Sequence, residues 1–195
     1  MRRIWRVGGI GIALFSSCQS PPVKDTSAPA SLSTPTHLNS LKELGDSLTL
    51  SRQRSILQNL LQRAQREGWA GAVRYCHLAA ETLTFYKDNR LSLQRVALRF
   101  RNPKNSLQDS LDRLVYSYYD TTASRESYIV QLPNGNVRYY RPIYIMMEEC
   151  LKCHGMPSKL DGPALAQIRK RYLGDKATGF NMGDLRGMWK IEFYH

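Results

Sequence analysis

The 195-residue sequence has few cysteines, no internal repeat and no long apolar run. Without repeats, one domain is the simplest expectation for this length, and a hydrophobic fraction of 42% is ordinary for a globular protein. The apolar run at residues 7–15 is too short for the roughly 20 residues of a membrane-spanning helix. The four cysteines include one closely spaced pair, so a zinc site built from two matching pairs has no second pair to use.

The N-terminal segment has the order of features found in a secretory signal. Three arginines precede the apolar run, and two serines then lead to Cys18. This pattern resembles a bacterial lipoprotein signal, in which the cysteine becomes the lipidated first residue. We therefore expect a signal peptide at residues 1–17 and a lipid on Cys18; an ordinary signal peptide cut nearby is the alternative. Residues 18–37, rich in Pro, Ser, Thr and Ala, are expected to form a flexible linker to a domain at residues 38–195.

The expected export of the protein changes which binding partners its formal net charge of +12 suggests. An exported protein does not meet genomic DNA, so we expect no nucleic-acid partner. The remaining candidate partners for the positive charge are an anionic lipid, an acidic protein or an anionic cofactor. The simplest account of the charge is a basic surface that is solvated and binds no partner. The expected location is the bacterial cell envelope, facing the periplasm, with membrane contact through the lipid. Gln19 after the lipid site favours the outer membrane by analogy with known sorting rules.

The first part of the domain is predicted to be helical. Apolar residues at helical spacing indicate one helix between Leu41 and Ala64 and a second between Trp69 and Leu83, with a break in the segment EGWAG at residues 67–71. A third helix is predicted from Leu107 to Tyr118.

Strand signals dominate the rest of the domain. Residues 95–101 read as a short strand closed by an Asn-Pro turn, and Asn134-Gly135 between two β-rich runs indicates a hairpin. Residues 162–173 read as a short helix and residues 183–194 as a final strand. Helices followed by an antiparallel sheet with helical insertions give an α+β fold.

The segment CLKCH at residues 150–154 has the spacing of a c-type haem attachment site. Cys150 and Cys153 would each form a thioether with one haem vinyl group, and His154 would give its imidazole to the iron. Three alternatives are weaker. Zinc needs four ligands, a redox-active C-x-x-C usually lies in a βαβ unit that is missing here, and a disulfide across this spacing would be strained.

Cys76 lies in the middle of the apolar stripe of the second predicted helix. A lone cysteine there is most often a small core residue, but it is also a candidate for the second axial ligand of the iron. Cys76 and His77 lie about 100° apart on a helix, so only one of them can face the iron. The other candidates are His195, Met146, Met147, Met156, Met182 and Met188.

Four ordered segments extend these observations to most of the domain: GAVRYC, LRFRNPKN, YYRPIYIMMEECLKCHG and GDKATGFNMGDLRGMWKIEF. Together they resemble the Tll-type single-haem domain family, over roughly residues 57–193. The resemblance implies a PAS-like fold with one covalent haem c, bound through Cys150 and Cys153 with His154 as an axial ligand. It further implies that the second axial ligand is a cysteine of the preceding helix, which is Cys76 here.

The resemblance also implies a role, because family members occur alone or fused to signalling modules. We expect a redox sensor or a sensor of a diatomic gas such as CO, NO or O₂, with an unidentified redox or signalling protein as its partner. A membrane-tethered single-haem electron carrier is the alternative. An enzyme is not expected, because no distal histidine or arginine can be identified. Arg99 and Arg101 are candidates to pair with the haem propionates, and a solvated strand face is their simpler interpretation.

Overall fold

The computed structural model describes residues 34–195, except for the side chains of residues 79–81 and 83. The predicted signal peptide at residues 1–17, the predicted lipid site at Cys18 and most of the predicted linker lie outside the described residues. Between residues 34 and 195, no helix is both long and apolar enough to cross a membrane.

The described residues form helices around one antiparallel sheet. In chain order the elements are α1 (Pro35–Thr84), β1 (Tyr86–Lys87), β2 (Leu91–Val96), α2 (Ser110–Thr122), β3 (Tyr128–Gln131), β4 (Val137–Tyr144), α3 (Glu148–His154), α4 (Gly162–Arg171) and β5 (Leu185–Phe193), with short 3-10 turns at Pro103–Asn105 and Pro157–Lys159. The five strands pair in the order β1-β2-β5-β4-β3. The predicted α+β architecture, with N-terminal helices and an antiparallel sheet, is confirmed.

Helix α1 begins earlier than expected and is interrupted where expected. It begins at Pro35, so residues 35–37, which the sequence placed in the linker, are helical. Proline suits a first helical turn, and Thr34 Oγ1 accepts a hydrogen bond from His37 N over 3.3 Å. Further along, Gly68 has φ 70° and ψ 178°, a backbone conformation that glycine adopts without steric cost. The helix therefore divides at Gly68, within the predicted break.

The strand predicted at residues 95–101 is misplaced. Strand β2 ends at Val96, and Leu98 is 58% exposed. The chain leaves the sheet at Ala97, whose N–H donates to Asn105 O over 2.8 Å. The alternation in the sequence arises instead from two arginines whose side chains reach a distant loop, as described below.

The sheet is covered on both faces, which explains why β5 is buried along nearly its whole length. On one face it packs against α2 through Val96, Val115, Tyr116, Tyr119, Tyr140, Leu185 and Met188. On the other it packs against the first half of α1 through Leu93, Val137, Tyr139, Trp189, Ile191 and Phe193, with Leu38, Leu41, Leu48 and Ile56 of α1.

A bulge interrupts the pairing of β4 with β5. Ile143 pairs with Gly187, and the next pair joins Tyr144 to Leu185, which leaves Arg186 as an extra residue in β5. A bulge of this kind changes the face towards which the following side chains point.

Candidate functional site

Helix α3 carries the whole C-x-x-C-H motif. Two glutamates lie in its first turn and Lys152 in its last, so these side-chain charges complement the helix dipole. The helix ends at Gly155, where a Cβ atom would lie 2.6 Å from Leu151 O. Glycine is therefore required for this close approach directly after His154.

His154 is held in one orientation and one tautomer. Its Nδ1 lies 2.7 Å from Ala177 O, and a carbonyl oxygen accepts this hydrogen bond only when Nδ1 carries the proton. Nε2 is then unprotonated, the form in which a histidine binds a metal ion. Burial, reinforced by the charges of Arg186 and Arg101, holds the pKa of His154 well below its usual value of 6.5, so the ring is neutral at neutral pH.

The loop at residues 175–180 anchors the end of α3. Gly179 N donates to Gly155 O over 2.7 Å, and Phe180 N donates to His154 O over 2.9 Å. The Phe180 ring stands edge-on to the imidazole, with the ring centroids 6.2 Å apart. The loop therefore contacts both the backbone and the side chain of His154.

Arg101 ties this loop to α3. Its Nε forms an ion pair with Asp175 Oδ1 at 3.2 Å, and its Nη2 donates to Cys153 O over 2.7 Å and to Ala177 O over 3.3 Å. The guanidinium group thus fixes the carbonyl that in turn accepts the hydrogen bond from His154.

Arg99 contacts the same loop. Its guanidinium carbon lies 3.8 Å from the centroid of the Phe180 ring, and its Nη2 donates to Thr178 O. Both arginines that the sequence offered as propionate partners therefore bind the loop next to His154. Their pairing with propionates stays a prediction.

A cavity of about 750 Å³ lies beside this anchored histidine. His154 lines it from α3 and Cys76 lines it from the second half of α1. Its walls combine apolar and cationic side chains, among them Ile56, Leu60, Val96, Phe100, Tyr172, Arg95, Arg101 and Arg186. The fold thus brings both predicted axial ligands, which are far apart in the sequence, to one cavity.

Cys76 is partly buried, and its charge state depends on opposing effects. Burial is the larger effect and raises the pKa of the thiol above its usual 9.0, although the charges of Arg101 and Arg95 act in the opposite direction. His77 also lines the cavity, but its side chain is exposed and its ring packs edge-on against Tyr172, with centroids 5.2 Å apart. The remaining candidates for a second ligand lie away from the lining of this cavity: His195, Met146, Met147, Met156, Met182 and Met188.

The two thiols of the motif are not among the residues that line the cavity, and each lies in an apolar cluster. Cys150 packs against Ala177 and Phe180, and Cys153 is 7% exposed and packs in a cluster with Val73 of α1. Burial raises the pKa of both thiols, that of Cys153 to about 12. Both are free thiols in this structure.

Sequence reasoning missed two cationic residues of the cavity, Arg95 of β2 and Arg186 of β5. Burial lowers the pKa of both, that of Arg186 to about 9. Arg95 lies close enough to Cys76 and Cys150 for a thiolate on either to raise its pKa. The sequence carries no clear signal for either, because β2 also contains Ser92 and Gln94 and β5 also contains Lys190 and Glu192.

The arrangement of possible ligand side chains also distinguishes a structural zinc site from a porphyrin-bound iron. Across residues 34–195, no three His, Cys, Asp or Glu side chains converge in a way that could hold a metal ion by themselves. A structural zinc site would need such a cluster. An iron that already has four ligands from a porphyrin needs only two protein ligands.

Comparisons with known proteins agree with the resemblance seen in the sequence. The family model described as Tll0287-like matches residues 36–193. The crystal structure of the cyanobacterial heme-protein Tll0287 is similar, with a TM-score of 0.50 and 24% identity, over 82% of this chain and 95% of that chain. At this identity the similarity supports a shared fold, and none of the curated proteins is detectably similar. Because the family model spans most of its length, this chain belongs to the Tll0287-like family.

Proposed function

We propose that this chain is a c-type haem protein with one covalent haem. Cys150 and Cys153 would attach the haem, and His154 Nε2 and Cys76 Sγ would be the axial ligands of the iron. The observation that carries the proposal is the cavity lined by both His154 and Cys76, with the hydrogen bond to Ala177 O leaving Nε2 available.

The properties of the cavity fit such a group. Its volume lies within the range of cofactor sites, and its walls are apolar with a few charged groups. Arg186 Nε is buried and has no hydrogen-bond partner among the described residues. A flat apolar ring with carboxylate substituents would match the apolar walls and the cationic side chains of Arg95, Arg101 and Arg186. The similar solved protein is described as a heme-protein, which supports the same group here, within a fold that we propose to be PAS-like.

The Cys76 thiol is the part of the site that favours a sensor. When bound, the haem would supply an iron that exchanges one electron and carries two axial ligands. Burial raises the pKa of the Cys76 thiol above its usual 9.0, although the charges of Arg101 and Arg95 oppose this, so the protein around Sγ favours the neutral thiol. A neutral thiol is a weaker metal ligand than a thiolate. We therefore propose a redox sensor, or a sensor of CO, NO or O₂, in which Cys76 is the ligand that leaves.

An electron carrier is the second candidate, and the mouth of the cavity favours it. Leu173 and Phe85 line the cavity and are 96% and 51% exposed, respectively. Exposed apolar side chains around a redox site suit the transient docking of a protein partner. A carrier would keep both axial ligands in both redox states.

The proposal also covers the cellular location and the partners of the protein. On the N-terminal pattern we propose a lipoprotein anchored through Cys18, in the cell envelope and facing the periplasm, with the outer membrane favoured. The haem and a redox or signalling protein would be its partners. We propose no enzymatic role.

Two measurements on the chain produced with a haem-attachment system test the function. Haem that stays with the chain after denaturing electrophoresis is expected, and it should be lost in Cys150→Ala/Cys153→Ala but kept in Cys76→Ala. After reduction with dithionite, a rapid and complete Soret shift with CO supports the sensor, whereas an unchanged low-spin spectrum supports the carrier. Failure of the unsubstituted chain to retain haem would contradict the proposal.

A further inference from the structure

Arg186 owes its position to the bulge between β4 and β5. Leu185 and Met188 both belong to the cluster beneath α2, although residues three apart in a regular strand point to opposite faces. The extra residue in β5 makes this possible and directs Arg186 away from that cluster. Arg186 instead lines the cavity that contains His154.

The guanidinium group of Arg186 is incompletely satisfied at this position. The residue is 9% exposed, its Nη1 donates to Arg99 O over 3.1 Å, and its Nε is buried without a hydrogen-bond partner among residues 34–195. A buried charged donor left unpaired costs considerably more free energy than a paired one. Burial, together with the charges of Arg95 and Arg101, lowers its pKa to about 9, because each of these effects disfavours the charged form.

The neighbouring arginines have partners of their own. Arg101 pairs with Asp175, and Arg99 lies over Phe180 and donates to Thr178 O. Arg186 also lies over Phe180, with its guanidinium carbon 5.6 Å from the ring centroid, but unlike Arg101 it makes no ion pair among residues 34–195, and it lines the cavity. A carboxylate matches the planar donor geometry of arginine and would neutralise this buried charge.

We propose that Arg186 binds a carboxylate inside this cavity, which, if the proposed function holds, is a haem propionate. This assigns to the bulged residue the role that the sequence suggested for Arg99 and Arg101. A free small carboxylate that enters the cavity is the other possible source of the same group. Arg186 is a positioning residue in this proposal, since it would hold the substituent of the ring and not the iron.

The test uses the haem-loaded full chain, with Arg186→Gln and Arg186→Lys. Arg169→Gln is the matched control, because Arg169 is exposed on α4 and does not line the cavity. The reduction midpoint is measured from about pH 5 to about pH 9, where an ordinary propionate would begin to titrate at the acid end. A neighbouring arginine lowers a carboxyl pKa, so its removal should make the propionate at least roughly tenfold harder to ionise.

The expected result is a midpoint in Arg186→Gln that falls as the pH rises through the new propionate pKa, because a protonated propionate favours the reduced iron. The parent and Arg169→Gln should lack this slope, and Arg186→Lys should lie between the two. In parallel, the thermal midpoint is measured in acetate and in chloride of equal ionic strength. If the slope is absent but acetate stabilises the parent and not Arg186→Gln, a free carboxylate is the ligand.

Each remaining outcome also tests the proposal for Arg186. If neither the slope nor the acetate effect depends on Arg186, the proposal is overturned. If no haem attaches, the proposed function fails, and the acetate comparison on the chain as purified still tests Arg186. If circular dichroism shows that neither variant folds, the unsubstituted chain produced without haem decides, because its site would be free and a lack of stabilisation by acetate over chloride would overturn the carboxylate site.

Discussion

Replacing Arg101 by methionine should loosen the loop that orients His154. The side chains of Arg101 and Asp175 are 14% and 9% exposed, so the substitution leaves a nearly buried carboxylate without its cation. Breaking a buried ion pair from one side typically costs about 3–5 kcal/mol. Asp175 Oδ1 keeps a 2.9 Å hydrogen bond from Ala177 N, which places the expected loss in unfolding free energy near the lower end, about 3 kcal/mol. The carbonyls of Cys153 and Ala177 also lose their donor.

The assay is equilibrium unfolding in urea, followed by two probes to establish that the transition is two-state. Arg169→Met, an exposed substitution on α4, controls for the general effect of removing an arginine. The double variant Arg101→Met/Asp175→Asn should be more stable than Arg101→Met, because the uncompensated charge is gone. A loss below about 1 kcal/mol in Arg101→Met, or a double variant no more stable than the single one, would refute the reasoning.

Two further predictions concern packing and pH. In Gly155→Ala the new methyl group would lie 2.6 Å from Leu151 O, so thermal unfolding should show a loss of about 1–3 kcal/mol; an unchanged midpoint would show that α3 adjusts without cost. Burial alone would raise the pKa of Asp46, but hydrogen bonds from Tyr139 and Lys42 hold it below its usual 3.8. Because the folded pKa is the lower one, this stability is present above about pH 3.8 and lost as the pH falls through the folded value. Acid unfolding of Asp46→Asn should therefore be less steep, and an identical acid limb would contradict this.

The parts of the fold that local signals determine were predictable. The break in α1 follows from a glycine whose φ is positive, and the β3–β4 hairpin follows from Asn134-Gly135 between β-rich runs. The strand at residues 95–101 was misplaced because its alternation mimicked a pleated strand. The arginines in it alternate for another reason, since both reach the loop at residues 175–180, which is far away in the sequence. Periodicity cannot distinguish these two causes.

Some residues of the candidate site could likewise be predicted from local sequence patterns, and others could not. The spacing of Cys150, Cys153 and His154 is a local pattern, so the motif could be recognised directly. Cys76 became a candidate from its place on the helix and from the family resemblance, and the structure now places it on the same cavity as His154. Arg186 could not be predicted, because its direction depends on a bulge that exists only in the paired sheet.

The most direct test of the central claim is the visible spectrum of the oxidised, haem-loaded chain compared with that of Cys76→Ser. Serine keeps the size of the side chain and a hydrogen-bonding group but removes the sulfur ligand. We predict that the parent shows the charge-transfer features of a thiolate bound to ferric iron and that Cys76→Ser lacks them, while its haem stays covalently attached. Identical spectra for the two proteins would contradict the assignment of Cys76 and His154 as the pair that holds the iron.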